Sequence, residues 1–249
     1  MKKNKSINGN LINELHMPEI TEKHTGKMVG MQSLSTSCAC NSRCEAHCKV
    51  DGSICQKCYA QTIMTRYEKL DEKTERNYKL LTASVLPMEY LPTLNCAFFR
   101  FEAFGDLEGG EKGINQFTNY VNICRKNPFT NFALWTKNPD VIEKAFWQGV
   151  EKPANLKLIV SPLFMDVLPD NRVIKSLVDH YKWIDHVFTV FTFDFLKNNG
   201  FDGSFINCGA RSCLACNKCY SHRDNTPFFI NELLKQDVAK AKKAGFIIE

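Results

Sequence analysis

Ten of the twelve cysteines in this 249-residue chain fall into two short stretches, Cys38 to Cys58 and Cys208 to Cys219. Such crowding restricts the fold to one in which two loops are gathered by a shared ligand or by disulfides. No secretory signal accounts for it: Lys2 and Lys3 run into Asn4, Lys5, Ser6, Ile7 and Asn8 with no apolar core. No run of about 18 apolar residues is present either, so no membrane span is expected. The expectation is a cytoplasmic protein whose thiols stay reduced and serve metal or redox chemistry. Cys96 and Cys124 stand apart from both groups and read as small buried hydrophobes.

The rest of the chain is that of a globular protein, 44% hydrophobic and 24% charged. The net charge of +5 is too small to require a nucleic-acid partner. Residues 1–26 are polar and aperiodic and read as an extended lead-in, with 27–249 as a single α/β domain. Short apolar runs then alternate with helical patterns. Candidate strands are 28–31, 97–102, 132–135, 156–160, 187–193 and a short one at 205–206. Between them lie a long helix beginning near Cys55, with Ser53 and Gln56 as its capping box, and helices near 115–125, 139–147 and 171–181. The tail 231–244 reads as an amphipathic helix. Strand and helix alternating five or six times favours a parallel sheet with helical crossovers, either doubly wound or an open, TIM-like (βα)6 barrel. In both, loops at the C-terminal ends of the strands form the functional face, and both cysteine groups are expected there.

In the second group, Cys208, Cys213, Cys216 and Cys219 have the close spacing with which ferredoxin loops wrap a cluster. Zinc sites more often use paired Cys-x-x-Cys knuckles, so iron–sulfur is favoured and zinc is the alternative. In the first, Cys55 and Cys58 are expected in the opening turns of a helix. Unpaired N–H groups and the positive end of the dipole favour thiolates there. Cys44 is the third candidate ligand. Cys38, Cys40 and Cys48 are alternates, and His47 is a weaker one. A single four-cysteine zinc site made from Cys55, Cys58 and two cysteines of the second group is a further possibility.

The stretches Asn41 to Cys44, Ile54 to Ala60, Phe99 to Leu107, Phe132 to Lys137 and Asn207 to Tyr220 together resemble a bacteriophage family, the "gene product eighty-eight" proteins. The resemblance covers about residues 28 to 235. It implies a phage gene product, acting in the host cytoplasm, with a 4Fe-4S cluster at one or both cysteine groups. The layout is also similar to that of radical S-adenosylmethionine enzymes, which carry three cysteines after the first strand of a partial barrel. That similarity implies an open iron at Cys44, Cys55 and Cys58, with S-adenosylmethionine held near Gly105 and Asp106. The ten residues between Cys44 and Cys55 depart from that superfamily's spacing, and Gly109-Gly110-Glu111 falls a few residues late.

Glu102 and Asp106 lie where barrel enzymes keep catalytic carboxylates, and are the catalytic candidates. A turn-forming acidic loop is the plainer reading. Arg100, Lys137, Ser161 and Asp166 are secondary candidates near strand ends. There is no phosphate loop and no nucleophile elbow. Three functions follow. One is redox or radical chemistry on an unidentified small molecule. Another is electron transfer or host interaction without catalysis. The last is a zinc-stabilised nucleic-acid-binding protein, recognisable by salt-dependent binding.

Overall fold

The computed structural model describes residues 17–209, 212–221 and 227–246. Residues 1–16 of the lead-in, with Lys2, Lys3 and Lys5, lie outside them, as does Arg211 of the second cysteine segment. Seven strands form one sheet: β1 (Thr21–Glu22), β2 (Gln32–Leu34), β3 (Phe98–Phe101), β4 (Asn131–Thr136), β5 (Leu156–Val160), β6 (His186–Phe191) and β7 (Phe228–Leu233). Their spatial order is their chain order. β1 pairs antiparallel with β2, and every later pairing is parallel. The order never reverses, so the sheet has no switch point of the doubly wound kind.

The helices are α1 (Ser42–Cys48), α2 (Tyr59–Met64), α3 (Glu68–Ala83), α4 (Gly110–Lys126), α5 (Pro139–Trp147), α6 (Arg172–His180), α7 (Phe193–Asn198), α8 (Cys213–Cys216) and α9 (Val238–Lys243). Pro139, with its preset φ, opens α5, and the Asn171 side chain accepts from the N–H of Val173 to cap α6. Strand alternation decides which residues meet the crossover helices. Phe99, Phe101, Phe132, Leu134, Leu156 and Leu158 pack in one cluster with Leu80, Leu81, Phe117, Tyr120, Val121 and Ile142 of α3, α4 and α5. Phe101 stacks on Tyr120 at 4.3 Å and on Phe132 at 5.3 Å. Burying each such ring contributes about 2–3 kcal/mol. The alternate residues Phe98, Ala133, Trp135, Ile159 and Phe188 point the other way, and Met31, Cys213, Cys219 and Tyr220 join them.

Several boundaries differ from the sequence reading. Residues 21–22 of the lead-in belong to the sheet. The first parallel strand is Gln32–Leu34, and 26–28 is a 3-10 turn preceding it. The long helix from Cys55 is three pieces: a 3-10 turn at Ile54–Lys57, then α2, then α3. Ser53 accepts from the N–H of Cys55, but Gln56 reaches back to the N–H of Gly52 rather than to that of Ser53. The expected strand at 205–206 is the end of a 3-10 turn. The last parallel strand is Phe228–Leu233, and only 238–243 of the tail is α-helix. Pairing with β6 draws 231–233 into the sheet, while Val238 keeps its place at the start of the helix.

Candidate functional site

The first cysteine group follows β2, at the C-terminal edge of the sheet. Three loops meet there, after β2, β3 and β4. Asn41 caps α1 by accepting from the N–H groups of Arg43 and Cys44, both at 2.9 Å, while its amide donates to the Asp106 carbonyl at 2.8 Å. Asp106 accepts from the Thr136 hydroxyl at 2.5 Å and from the Lys137 N–H at 2.9 Å. Glu108 accepts from Ser42 N–H and Oγ and from the Tyr78 hydroxyl. Asp106 and Glu108 thus splice the cysteine loop to β4 and α3. Gly105 has φ +80, and a Cβ on it would lie 2.5 Å from the Thr36 carbonyl. The close approach of two loops accounts for this glycine.

Glu102 ends β3 in the left-handed region, with φ +52, and is buried. Its carboxylate accepts from Thr36 N–H at 3.1 Å, Thr36 Oγ1 at 2.9 Å and Gln116 Nε2 at 2.7 Å, and is bonded to the Tyr120 hydroxyl. Burial pushes its pKa up to about 8, against the pull of the Tyr120 and Thr36 hydrogen bonds. Of the secondary acidic candidates, Asp166 is spent on the N–H and hydroxyl of Thr192. Lys137 lies near enough to lower Cys55 and Cys58.

All twelve cysteines are free thiols. Cys58, at the start of α2, faces the N–H groups of Ala60 and Gln61. A hydrogen bond from Cys38, followed by those N–H groups, holds its pKa down at about 6. Cys38 is correspondingly pushed up by sharing its proton with Cys58 and by burial. Burial is also the main reason Cys44 is raised and Cys55 stands at about 11. Each of the two also feels the other thiols of the group. Cys48 donates to the Cys55 carbonyl at 3.2 Å. Cys38, ranked only as an alternate by spacing, is therefore the thiol most directly joined to Cys58; its burial beside Met64 at 3.5 Å is invisible in the sequence. An open groove of about 360 Å³ lies beside Cys58, lined by Lys57, Tyr59, Ile63 and Lys235 among others.

The second group does not lie beyond a strand end. Its segment crosses the sheet face opposite the helices: Cys213, Cys219 and Tyr220 pack on Met31, Ala133 and Ile159. The reason is that 205–206 is a turn rather than a strand, which frees the segment to fold back over the sheet before β7. Cys208 N–H donates to the Asn231 carbonyl at 3.0 Å, and its sulfur lies 3.3 Å from Lys27 Nζ, which is also paired with Glu232. Burial, then Glu232, puts Cys208 up at about 11, and burial, then the Cys208 thiol, puts Cys219 up at about 12. Cys38, Cys44, Cys55, Cys208, Cys213 and Cys219 are each acted on by thiols of their own group. That favours two thiol sets over one shared four-cysteine site. The sets are nevertheless neighbours, since Tyr59, adjoining Cys58, feels Glu232, which also acts on Cys208.

Among the described residues, no three His, Cys, Asp or Glu side chains converge closely enough to hold an ion as placed. The donor chemistry fits a thiolate-bound centre at both sets: reduced thiols, grouped, with cations or N–H groups beside them. Closing on a metal would require the thiols to turn toward one another. Comparison of the chain with protein-family models, with curated proteins and with solved structures returns no match.

Proposed function

We propose that this chain is an iron–sulfur protein whose two thiol sets hold 4Fe-4S clusters and support redox or radical chemistry on a small molecule. Cys44, Cys55 and Cys58 would hold the first, with Cys38 beside them. Cys208, Cys213, Cys216 and Cys219 would hold the second. The observation that carries this reading is the grouping of free thiols into two separate sets, one of them presenting a thiol of pKa about 6 beside Lys137. Bound clusters would supply one-electron chemistry. The chain's own part would be to bury them, to balance their charge through Lys27 and Lys137, and to leave the groove beside Cys58 as access.

The resemblance to the phage family supports iron over zinc and a place in the host cytoplasm. Six parallel strands in chain order, with crossover helices on one face, support an open (βα)6 barrel. Gly105 and Asp106 stand on the loop where S-adenosylmethionine would be expected, although their contacts are already used within the protein. Among the described residues no helix is long and apolar enough to cross a membrane.

Protein purified without oxygen is expected to be brown, with broad visible absorption and stoichiometric iron and sulfide. Colourless protein carrying stoichiometric zinc would overturn the proposal. The radical form also requires S-adenosylmethionine to perturb the paramagnetic signal of the reduced protein. Redox activity with no such response would leave an electron carrier.

A further inference from the structure

We propose that the sheet face opposite the helices carries a binding site for an oxyanion, the carboxylate or phosphate group of a small ligand, gripped by Arg100 on a platform formed by Trp135. Arg100 lies mid-strand on β3, and its guanidinium is 4.0 Å from the centre of the Trp135 ring on β4. Its other contact is weak, Nη1 to the sulfur of Met28 at 3.4 Å. Among the described residues it has no carboxylate partner, and its Nε is buried without an acceptor. The Trp135 indole N–H and the buried Tyr220 hydroxyl, on the same face, also lack partners. Tyr220 packs 5.0 Å from Phe98, two residues before Arg100 on the same side of β3.

Buried polar groups are nearly always paired, so three unpaired donors on one face call for an acceptor. Stacking on an indole recovers less for a guanidinium than stripping its water costs. The balance requires an anion. Glu232, a carboxylate on this face, is taken by Lys27. Lys23 adds to the imbalance: burial, and then the charge of Arg100, brings its pKa down to about 8. Lys23 lies over the Phe104 ring at 3.6 Å, so among the described residues neither cation has a carboxylate partner. The planar fork of a guanidinium matches a two-oxygen group bidentately, which favours carboxylate or phosphate over a single-point acceptor.

The location carries functional weight. Arg100 acts on Tyr59, which adjoins Cys58, and also on Cys213 and Cys219. An oxyanion held there would lie between the two thiol sets. The site itself does not depend on a metal being bound.

The test uses the full chain, prepared without oxygen and with its metal content measured. Inorganic phosphate and, separately, acetate are titrated at constant ionic strength while the indole N–H resonance of Trp135, assigned with Trp135→Phe, is followed. Saturable displacement by either anion, with chloride inert, is expected, and the responding anion identifies the group. Arg100→Gln should weaken that binding at least tenfold while keeping its metal. Arg100→Lys, which retains charge without the fork, should weaken it less and serves as the folding control. Equal binding by Arg100→Gln, or no saturable response to either anion, overturns the proposal. Loss of metal together with anion binding in Arg100→Gln also overturns it, by making Arg100 the counter-charge of a metal centre. Metal-free protein that still binds the anion through Arg100 upholds the site while the iron–sulfur reading fails.

Discussion

Glu102 combines a left-handed backbone, complete burial and a pKa near 8, and each property has a consequence that can be measured. Its folded pKa lies above the ordinary 4.5, so the folded chain keeps a proton that the unfolded chain gives up. Stability should therefore fall as pH rises from about 4.5 to about 8 and level off beyond. His186 works oppositely: burial lowers it to about 4 from 6.5, so stability falls as pH drops below 6.5. Cys58 opposes Glu102 above pH 6: its folded pKa of about 6 lies below the ordinary 9.0, so its contribution to stability grows as pH rises toward 9. The Glu102 loss between pH 6.5 and pH 8 should approach about 2 kcal/mol, read in urea titrations as the difference between wild type and Glu102→Gln. In Glu102→Gln that slope should vanish, at a pH-independent cost from turning an amide N–H toward donors such as Thr36 N–H. Gly105→Ala is expected to cost roughly 2–3 kcal/mol, through both its φ of +80 and the Thr36 carbonyl. A thermal midpoint within a degree of wild type would contradict that. Glu102 stood out in the sequence as an acid at a strand end. What the sequence hides is that four hydrogen bonds from Thr36, Gln116 and Tyr120 already occupy it, residues 14 to 66 positions away.

At the level of elements, α1 and α2 decide how the first thiol set is presented. Asn41 joins them to the β3 loop, as cap of α1 and as donor to the Asp106 carbonyl. Asn41→Ala should destabilise the protein by about 1–2 kcal/mol and release the loop bearing Cys44, read as faster hydrogen exchange at 42–48 with 110–126 unchanged. Uniform exchange across both helices would show that the cap has no local role. Helices that cross over between strands were legible because their apolar faces repeat at the helical period and their ends carry Pro139 or Asn171. The pieces around Cys55 were not, because the extended backbone at Cys58 and the turn at Thr65 to Tyr67 break a continuous periodic pattern into three. β7 was missed for a related reason: its two faces, Phe228/Ile230/Glu232 and Phe229/Asn231/Leu233, each mix apolar and polar residues, so no alternation marks it as a strand.

Among the described residues, the sheet is held on one face by helices and on the other by the cysteine segment 212–221, in which Tyr220 is the anchor. Phe101→Ala, which opens a void among Tyr120 and Phe132, is expected to cost about 3–5 kcal/mol. If metal is bound by the folded chain alone, chelation should lower the thermal midpoint and loosen 212–221 more than β3 and β4. A chelator-insensitive midpoint in protein proved to contain metal would place the ions outside the load-carrying structure.

The α/β class, most of the parallel strands and the gathering of thiols into two groups follow from local pattern: periodicity, turn residues and spacing act over a few residues and leave their mark there. The sequential strand order, the folding of the second cysteine segment across the sheet rather than beyond a strand end, the closeness of Cys38 to Cys58 and the unpaired Arg100 beside Trp135 were decided by tertiary structure. Each depends on which side chains distant in the chain share a face, and on how burial sets the cost of leaving a charge or a hydrogen-bond donor without a partner.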